Sequence, residues 1–260
     1  MPAEDALKPL EGKCAIVTGA STPNGIGSAI ARRLAAEGAS LLVVAEGPAQ
    51  DLEATASACR TLLAPGAQAE ALLLDLSQPG APERMVEHAD RLFGRVDILV
   101  NNAAARASYS FGTYTREQFD KVVAVHIGAA YFASQSVLPI MRRQGSGRII
   151  HIASQLGHVT FDKRALYGLT KAAIIHLTKS MAHELGKDNI IVNAISPGPI
   201  DTGRRTVNGP EVTAQLIGKV PAGRLGEAAE IAEVAFFLAS SSPQFLQGQD
   251  VVVDGGFIIH

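Results

Sequence analysis

The chain has 260 residues, with 23 Lys and Arg against 25 Asp and Glu, a formal charge of -2, 47% apolar residues and two cysteines. No basic stripe or block of like charge is present, which argues against nucleic-acid and membrane partners and points to a small-molecule one. Cys14 and Cys59 build no disulfide framework and have no zinc spacing, no basic-then-apolar leader opens the chain, and no run reaches the ~18 uninterrupted apolar residues of a membrane span.

These counts predict a cytoplasmic protein with reduced thiols, folded as one large domain. Residues 1–12, with Pro2, Pro9 and four charges, read as a frayed N-terminal leader before a domain over 13–260. From there, short apolar runs alternate with longer amphipathic ones. CAIVT precedes GSAIARRLAAEG, SLLVVA precedes DLEATASACRTLLA, and AEALLLD precedes ERMVEHADRLFG. VDILV precedes the long stretch EQFDKVVAVHIGAAYFASQSVLPIMRRQ, RIIHIAS precedes LYGLTKAAIIHLTKSMAHELG, and IIVNAIS and DVVVDGG flank EIAEVAFFLASS. In that last helix Ile231, Val234, Ala235 and Leu238 recur at i, i+3, i+4 and i+7, a core stripe. The alternation predicts an α/β fold: a doubly wound, Rossmann-type parallel sheet of seven strands with helices on both faces. Residues 197–226 lack clear strand or helix signals and read as a substrate loop.

The first strand runs directly into Gly19-Ala20-Ser21-Thr22-Pro23-Asn24-Gly25-Ile26-Gly27 and then a helix. Glycines here permit a tight turn and close approach to a pyrophosphate, and the helix start offers free N–H groups and a partial positive charge. Glu46 ends the second strand, about twenty residues on, where an acid can bond both adenosine ribose hydroxyls and repel a 2′-phosphate. It therefore favours NAD over NADP, unless it only begins the next loop. Asp75 closes the third strand, where a carboxylate could meet the adenine amino group.

Tyr167 and Lys171 stand four apart and share a helix face. An ammonium beside a phenol favours phenolate. Bringing a tyrosine from ~10 to ~7 needs about 4 kcal/mol of differential stabilisation. Ser154 follows the strand RIIHIA and so lies at a carboxyl edge, where ligands sit in open α/β sheets.

With Asp75-Leu76, Asn101-Asn102-Ala103-Ala104, Asn193, the segment Pro197-Gly198-Pro199-Ile200-Asp201-Thr202, Gly248-Gln249 and Asp254-Gly255-Gly256, these residues make the chain resemble the short-chain dehydrogenase/reductase family from about Lys13 to Phe257. The resemblance implies an NAD(P)-dependent oxidoreductase that interconverts a secondary alcohol and a ketone. Tyr167 would be the general acid/base, Lys171 would lower its pKa and bond the nicotinamide ribose, and Ser154 would hold the substrate oxygen. Asn102, Ala103 and Ala104 would lie along the adenosine side, and Ile200 with Thr202 would bond the carboxamide. The substrate would be a 3-oxoacyl thioester or a sugar, polyol or hydroxy acid. Enoyl reductase relatives space their tyrosine and lysine wider than four. A homotetramer through the helices after Thr115 and Tyr167 would be expected.

The pattern is broken in three places. Five residues separate Gly19 from Gly25 where the family usually has three, so Thr22-Pro23-Asn24 should bulge outward. Ala104 replaces a glycine, a mild change if its φ is negative. His126 stands where the family carries an asparagine whose backbone carbonyl supports a relay water near Lys171. It is either a further catalytic group titrating near ~6.5 or a packed helix histidine. These departures leave one alternative, a catalytically silent dinucleotide sensor or scaffold. The remaining histidines show no ligand spacing, so no metal is expected, and Arg106, Lys163, Arg164, Arg204 and Arg205 are placed near the pocket mouth.

Overall fold

The structure is a computed structural model and describes residues 8–203 and 210–259. Strand β1 (Cys14–Thr18) leads into helix α1 (Ile26–Ala36), β2 (Ser40–Ala45), α2 (Ala49–Arg60), β3 (Ala69–Leu73), α3 (Ala81–Phe93) and β4 (Ile98–Asn101). Helix α4 (Arg116–Val123) passes through a π-helical turn (Ala124–Gly128) into α5 (Ala129–Gln144), followed by β5 (Gly147–Ile152), α6 (Ala165–Leu185) and β6 (Ile190–Pro197). Then come β7 (Ile200–Asp201), α7 (Pro210–Ile217), β8 (Gly226–Glu227), α8 (Ala228–Ser240) and β9 (Asp250–Val253).

The seven expected strands form one parallel sheet in the order β3-β2-β1-β4-β5-β6-β9. Because side chains alternate along a strand, β1 and β2 feed both faces. Ala15, Val17, Leu41 and Val43 join Ile30, Leu34, Leu52, Ile231 and Leu238 of α1, α2 and α8 on one side. On the other side Ile16, Leu42 and Leu99 meet Met85, Val137, Met141 and Leu185 of α3, α5 and α6. At about 2–5 kcal/mol for each Leu or Met truncated to Ala, these two layers hold the sheet rigid. Strand order reverses between β1 and β4, with Val17 opposite Val100, and the crevice outside their carboxyl ends is where such sheets bind ligands.

Helix α4 starts at a capping box. Thr115 Oγ1 accepts from the Gln118 N–H (3.2 Å) while the Gln118 side-chain oxygen accepts from the Thr115 N–H (3.1 Å). The continuous helix Arg116–Gln144 is long and apolar enough by composition to cross a membrane. Here Ala133, Val137, Ile140 and Met141 pack into the sheet core, while Tyr131 and Phe132 remain half exposed.

Two expectations need correction. Residues 8–12 are not a frayed leader: Leu10 is 2% exposed and its N–H donates to the Glu37 carbonyl (2.9 Å), because its side chain completes the layer over α1. The described residues of segment 197–226 also hold more than a loop, since β7 pairs with β8 at Gly226 and α7 lies between them. Arg204 and Arg205 lie outside the described residues.

Candidate active site

An open groove of about 670 Å³ runs along the carboxyl edge of the sheet, from Glu46, Asp75 and Leu76, past Gly19, Ser21, Gly25, Ile26 and Gly27, to Asn102, Ala103, Ala104, Tyr167 and Thr202. The glycines are required by packing as much as by any ligand. A Cβ on Gly27 would lie 2.6 Å from both Asn102 Nδ2 and the Gly19 carbonyl oxygen, and one on Gly19, whose φ is +70, would lie 2.7 Å from Ala103 Cα. The inserted residues close on themselves, the Gly25 N–H donating to the Thr22 carbonyl (2.8 Å) with Pro23 and Asn24 exposed. The bulge therefore leaves the start of α1 in place, and Asn24 does not line the groove. Ser21 Oγ ties the loop to the Gly47 carbonyl (2.9 Å).

Helix α1 begins at Gly25 with no side-chain cap and no acid in its first turn. Its first N–H groups and its dipole are thus left for an anion at the groove, and with this volume the donor set fits a dinucleotide.

Several motif residues serve as joints. Thr18 Oγ1 accepts from the N–H groups of Asn102 (2.9 Å) and Ala103 (3.0 Å), and the Asn102 amide donates back to the carbonyls of Thr18 (2.8 Å) and Gly19 (3.1 Å). Asn102 therefore acts on the glycine loop itself. Gly198 packs against Asp254, where a Cβ would come within 2.5 Å of its Cα, and its N–H donates to the Val253 carbonyl, fixing the chain after Pro197. Ile200 is buried in the layer with α8, so only its backbone is on offer. Ala104 is unstrained: among the described residues only Lys163 and Asn189 take a positive φ without being glycine.

At the adenosine end both expected acids have partners within the protein. Glu46 is exposed and forms an ion pair with Lys121 of α4, Nζ to Oε2 2.9 Å. Asp75 lies two residues past β3 and is occupied by its own turn, accepting from the Ser77 N–H (2.9 Å), Ser77 Oγ (2.7 Å) and Gln78 Nε2 (3.2 Å). Its pKa is lowered by those Ser77 and Gln78 bonds and by Lys121, against an opposing desolvation that is the largest single influence.

At the other end, Ser154 follows β5 in extended backbone and its Oγ accepts the Leu156 N–H (3.1 Å), so its own O–H is the group it can donate. Tyr167 lines the groove from the first turn of α6. Lys171, one turn on, is 4% exposed, donates to the Ile152 carbonyl (2.6 Å) and holds its Nζ 5.7 Å from the Tyr167 ring centre. Burial pulls the ammonium pKa down to about 8, so it remains mostly charged at neutral pH.

His126 is no titrating group. It sits in the π-helical turn, 3% exposed, with its pKa pulled down to about 3 by desolvation and by Lys171. Its Nδ1 meets Thr170 Oγ1 (2.8 Å), and its Nε2 meets the Ala105 N–H (3.0 Å). Nε2 also lies 3.1 Å from the Ala105 carbonyl oxygen, and Thr170 Oγ1 donates to the Tyr167 carbonyl (2.8 Å), so the neutral ring is held at both nitrogens. A cavity of about 10 Å³ between His126, Val125, Asn101 and Lys171 has room for at most one water.

Sequence reasoning missed Lys121, Thr170 and His151. His151 is fully buried on β5, its Nδ1 3.2 Å from Asn101 Nδ2, and burial with Lys171 nearby lowers its pKa to about 4. A β-strand histidine in an apolar run was the only signal for it. No group of three potential metal ligands occurs among the described residues. Arg106 lines the groove, whereas Lys163 and Arg164 line a separate cavity with Lys219.

A family model described as Enoyl-(Acyl carrier protein) reductase matches residues 19–258. The 3-oxoacyl-acyl-carrier-protein reductase FabG of Escherichia coli is 36% identical over 246 residues, covering 95% of this chain and 97% of its own. The 7alpha-hydroxysteroid dehydrogenase of Bacteroides fragilis is 33% identical over 254 residues, covering 96% of each. Among solved structures, one described as an NAD(P) dependent gluconate 5-dehydrogenase from Beutenbergia cavernae, with NADP bound at low occupancy, matches with a TM-score of 0.89. It is 32% identical and covers 98% of this chain and 100% of that one. Matched end to end in sequence and in the seven-stranded frame that carries this groove, the chain belongs to the short-chain dehydrogenase/reductase family.

Proposed function

We propose that the protein interconverts a secondary alcohol and a ketone with NAD(P), Tyr167 being the general acid/base. The observation that carries this reading is that Tyr167 lines the same groove as the uncapped start of α1, with the buried Lys171 ammonium beside its ring. The nicotinamide, when bound, supplies or accepts the hydride. In the reductive direction the Ser154 hydroxyl donates a hydrogen bond to the substrate oxygen and orients it. The Tyr167 hydroxyl then gives that oxygen its proton; in oxidation the phenolate takes it back. Lys171 places positive charge beside the phenol and so favours the phenolate. Gly19, Ser21, Gly25, Ile26 and Gly27 hold the phosphates, Leu76, Ala103 and Ala104 flank the adenosine, and Thr202 with the backbone of Ile200 reaches the carboxamide. Of the substrate segment 197–226, Thr202 lines the groove.

FabG and the hydroxysteroid and gluconate relatives support a ketoreductase or alcohol dehydrogenase, with a 3-oxoacyl thioester, a sugar or polyol, or a hydroxy acid as the substrate classes. The four-residue Tyr–Lys spacing favours carbonyl over enoyl reduction. A silent sensor loses its supports once the inserted turn and His126 are seen to be accommodated. On the cofactor, Glu46 alone speaks for NAD, and the NADP held by the gluconate relative speaks the other way; we take both to be accepted. The half-exposed Tyr131 and Phe132 on α5 and the exposed Leu169 on α6 support a homotetramer assembled through these helices.

Tyr167→Phe tests the reading. Turnover on a ketone panel should fall by roughly 100-fold or more, while NADH and NADPH binding, followed by nicotinamide fluorescence, stays near wild type. Unchanged turnover would remove Tyr167 from the chemistry.

A further inference from the structure

We propose that Lys121 decides how this protein treats a 2′-phosphate: it is the cation that lets NADP enter an adenosine site whose acid, Glu46, would otherwise exclude it. The inference rests on the dinucleotide reading above and names the residue that sets cofactor choice. Glu46 stands at the carboxyl end of β2, at the rim of the groove, where a bare carboxylate would repel a phosphate dianion. Lys121 reaches that rim from α4, 75 residues along the chain, and its Nζ lies 2.9 Å from Glu46 Oε2.

The lysine is aimed by its helix, which the capping box at Thr115 fixes. Asp75, the other acid at this end, is held by Ser77 and Gln78 in its own turn. Lys121 and Arg106 are the two cations lining the groove among the described residues; Lys121 is the one paired with Glu46, while the Arg106 guanidinium lies 5.7 Å from the Tyr109 ring centre.

Both members of the ion pair are about half exposed, so the pair is weakly held and opens easily. A 2′-phosphate offers nearly two negative charges and three acceptor oxygens, and would outcompete one carboxylate for the ammonium. With NAD, Lys121 stays on Glu46, whose second oxygen accepts from the ribose hydroxyls. With NADP, Lys121 turns to the phosphate and Glu46 turns to water. Without Lys121, Glu46 would face the 2′ position with no cation paired to it.

The experiment compares wild type, Lys121→Met and Lys121→Arg in fluorescence titrations with NADH and NADPH. Competition by 5′-AMP and by adenosine 2′,5′-bisphosphate isolates the 2′-phosphate. Lys121→Met should weaken NADPH and the bisphosphate by about tenfold and leave NADH and 5′-AMP within about threefold, while Lys121→Arg keeps NADPH close to wild type. NADPH binding should also weaken more steeply with salt than NADH binding in wild type, a difference lost in Lys121→Met. Equal weakening of both cofactors, or no change in either, would overturn the proposal. Wild-type protein that binds neither nucleotide would overturn the dinucleotide reading itself, and this inference with it.

Discussion

His126 Nδ1 and Thr170 Oγ1 lie 2.8 Å apart, so that the π-helical turn and the helix of Tyr167 and Lys171 are tied by a buried, neutral hydrogen bond. The chain continues from Thr170 Oγ1 to the Tyr167 carbonyl and from His126 Nε2 to the Ala105 backbone. One imidazole thus links the segment after β4, the middle of the long helix and the start of α6, while its ring stands edge-on to Tyr167 with centres 5.7 Å apart. A π turn admits one extra residue per turn, and here both Val125 and His126 within it are buried. His126 is therefore a positioning residue.

His126→Asn should keep kcat within about tenfold of wild type, because no proton passes through the ring. The same change should cost about 1 kcal/mol of stability for the lost hydrogen bond. Thr170→Val, which breaks the bond from the other side, should do likewise. Loss of all turnover in His126→Asn, with the fold intact by circular dichroism, would make the imidazole catalytic after all.

Acid should destabilise this protein earlier than its carboxylates alone would. The folded-state pKa values of His126 and His151, about 3 and about 4, lie below the unfolded value near 6.5, so the unfolded chain binds more protons between those limits. Their stability is fully present above pH ~6.5 and is lost as pH falls toward 4 and 3, at up to about 1.4 kcal/mol per pH unit for each histidine. Urea midpoints at pH 7, 6 and 5 should fall accordingly, and His126→Asn should flatten the slope. A midpoint constant from pH 7 to 5 would show that both rings charge freely in the fold.

Gly27→Ala should weaken NADPH binding by about tenfold or more and destabilise the fold by about 1–3 kcal/mol through overpacking. The new methyl would meet the Asn102 amide and the Gly19 carbonyl at 2.6 Å, and the carbonyl is backbone with no easy retreat. Asn102→Ala alongside it relieves half the clash but removes the bonds to Thr18 and Gly19, so it should not rescue binding. Thermal denaturation with and without NADPH reads both effects. An unshifted midpoint and unchanged affinity would mean that the loop has slack that its contacts do not show.

The local pattern of the sequence was enough for the parallel sheet, its seven strands and their alternation with helices. A strand's apolar run and a helix's i, i+4 stripe are properties of neighbouring residues, as in CAIVT or Ile231 to Leu238. The four-residue step from Tyr167 to Lys171 and the glycines before α1 were legible for the same reason. The 197–226 segment misled because its short paired strands and α7 carry little periodicity. Leu10 misled because one anchoring residue among prolines and charges has no pattern at all. What the tertiary structure alone decided are contacts across the chain: Lys121 on Glu46, His126 on Thr170, Asn102 under Gly27 and the burial of His151 beside Asn101. Such pairs arise where the strand order reverses at β1 and β4 and where α4, the π turn and α6 converge on that edge. Distance in sequence therefore says nothing of them. The charge of Glu46 could be read from the sequence, but the cation that answers it, and so the balance at the adenosine site, is set by the packing of a helix 75 residues away.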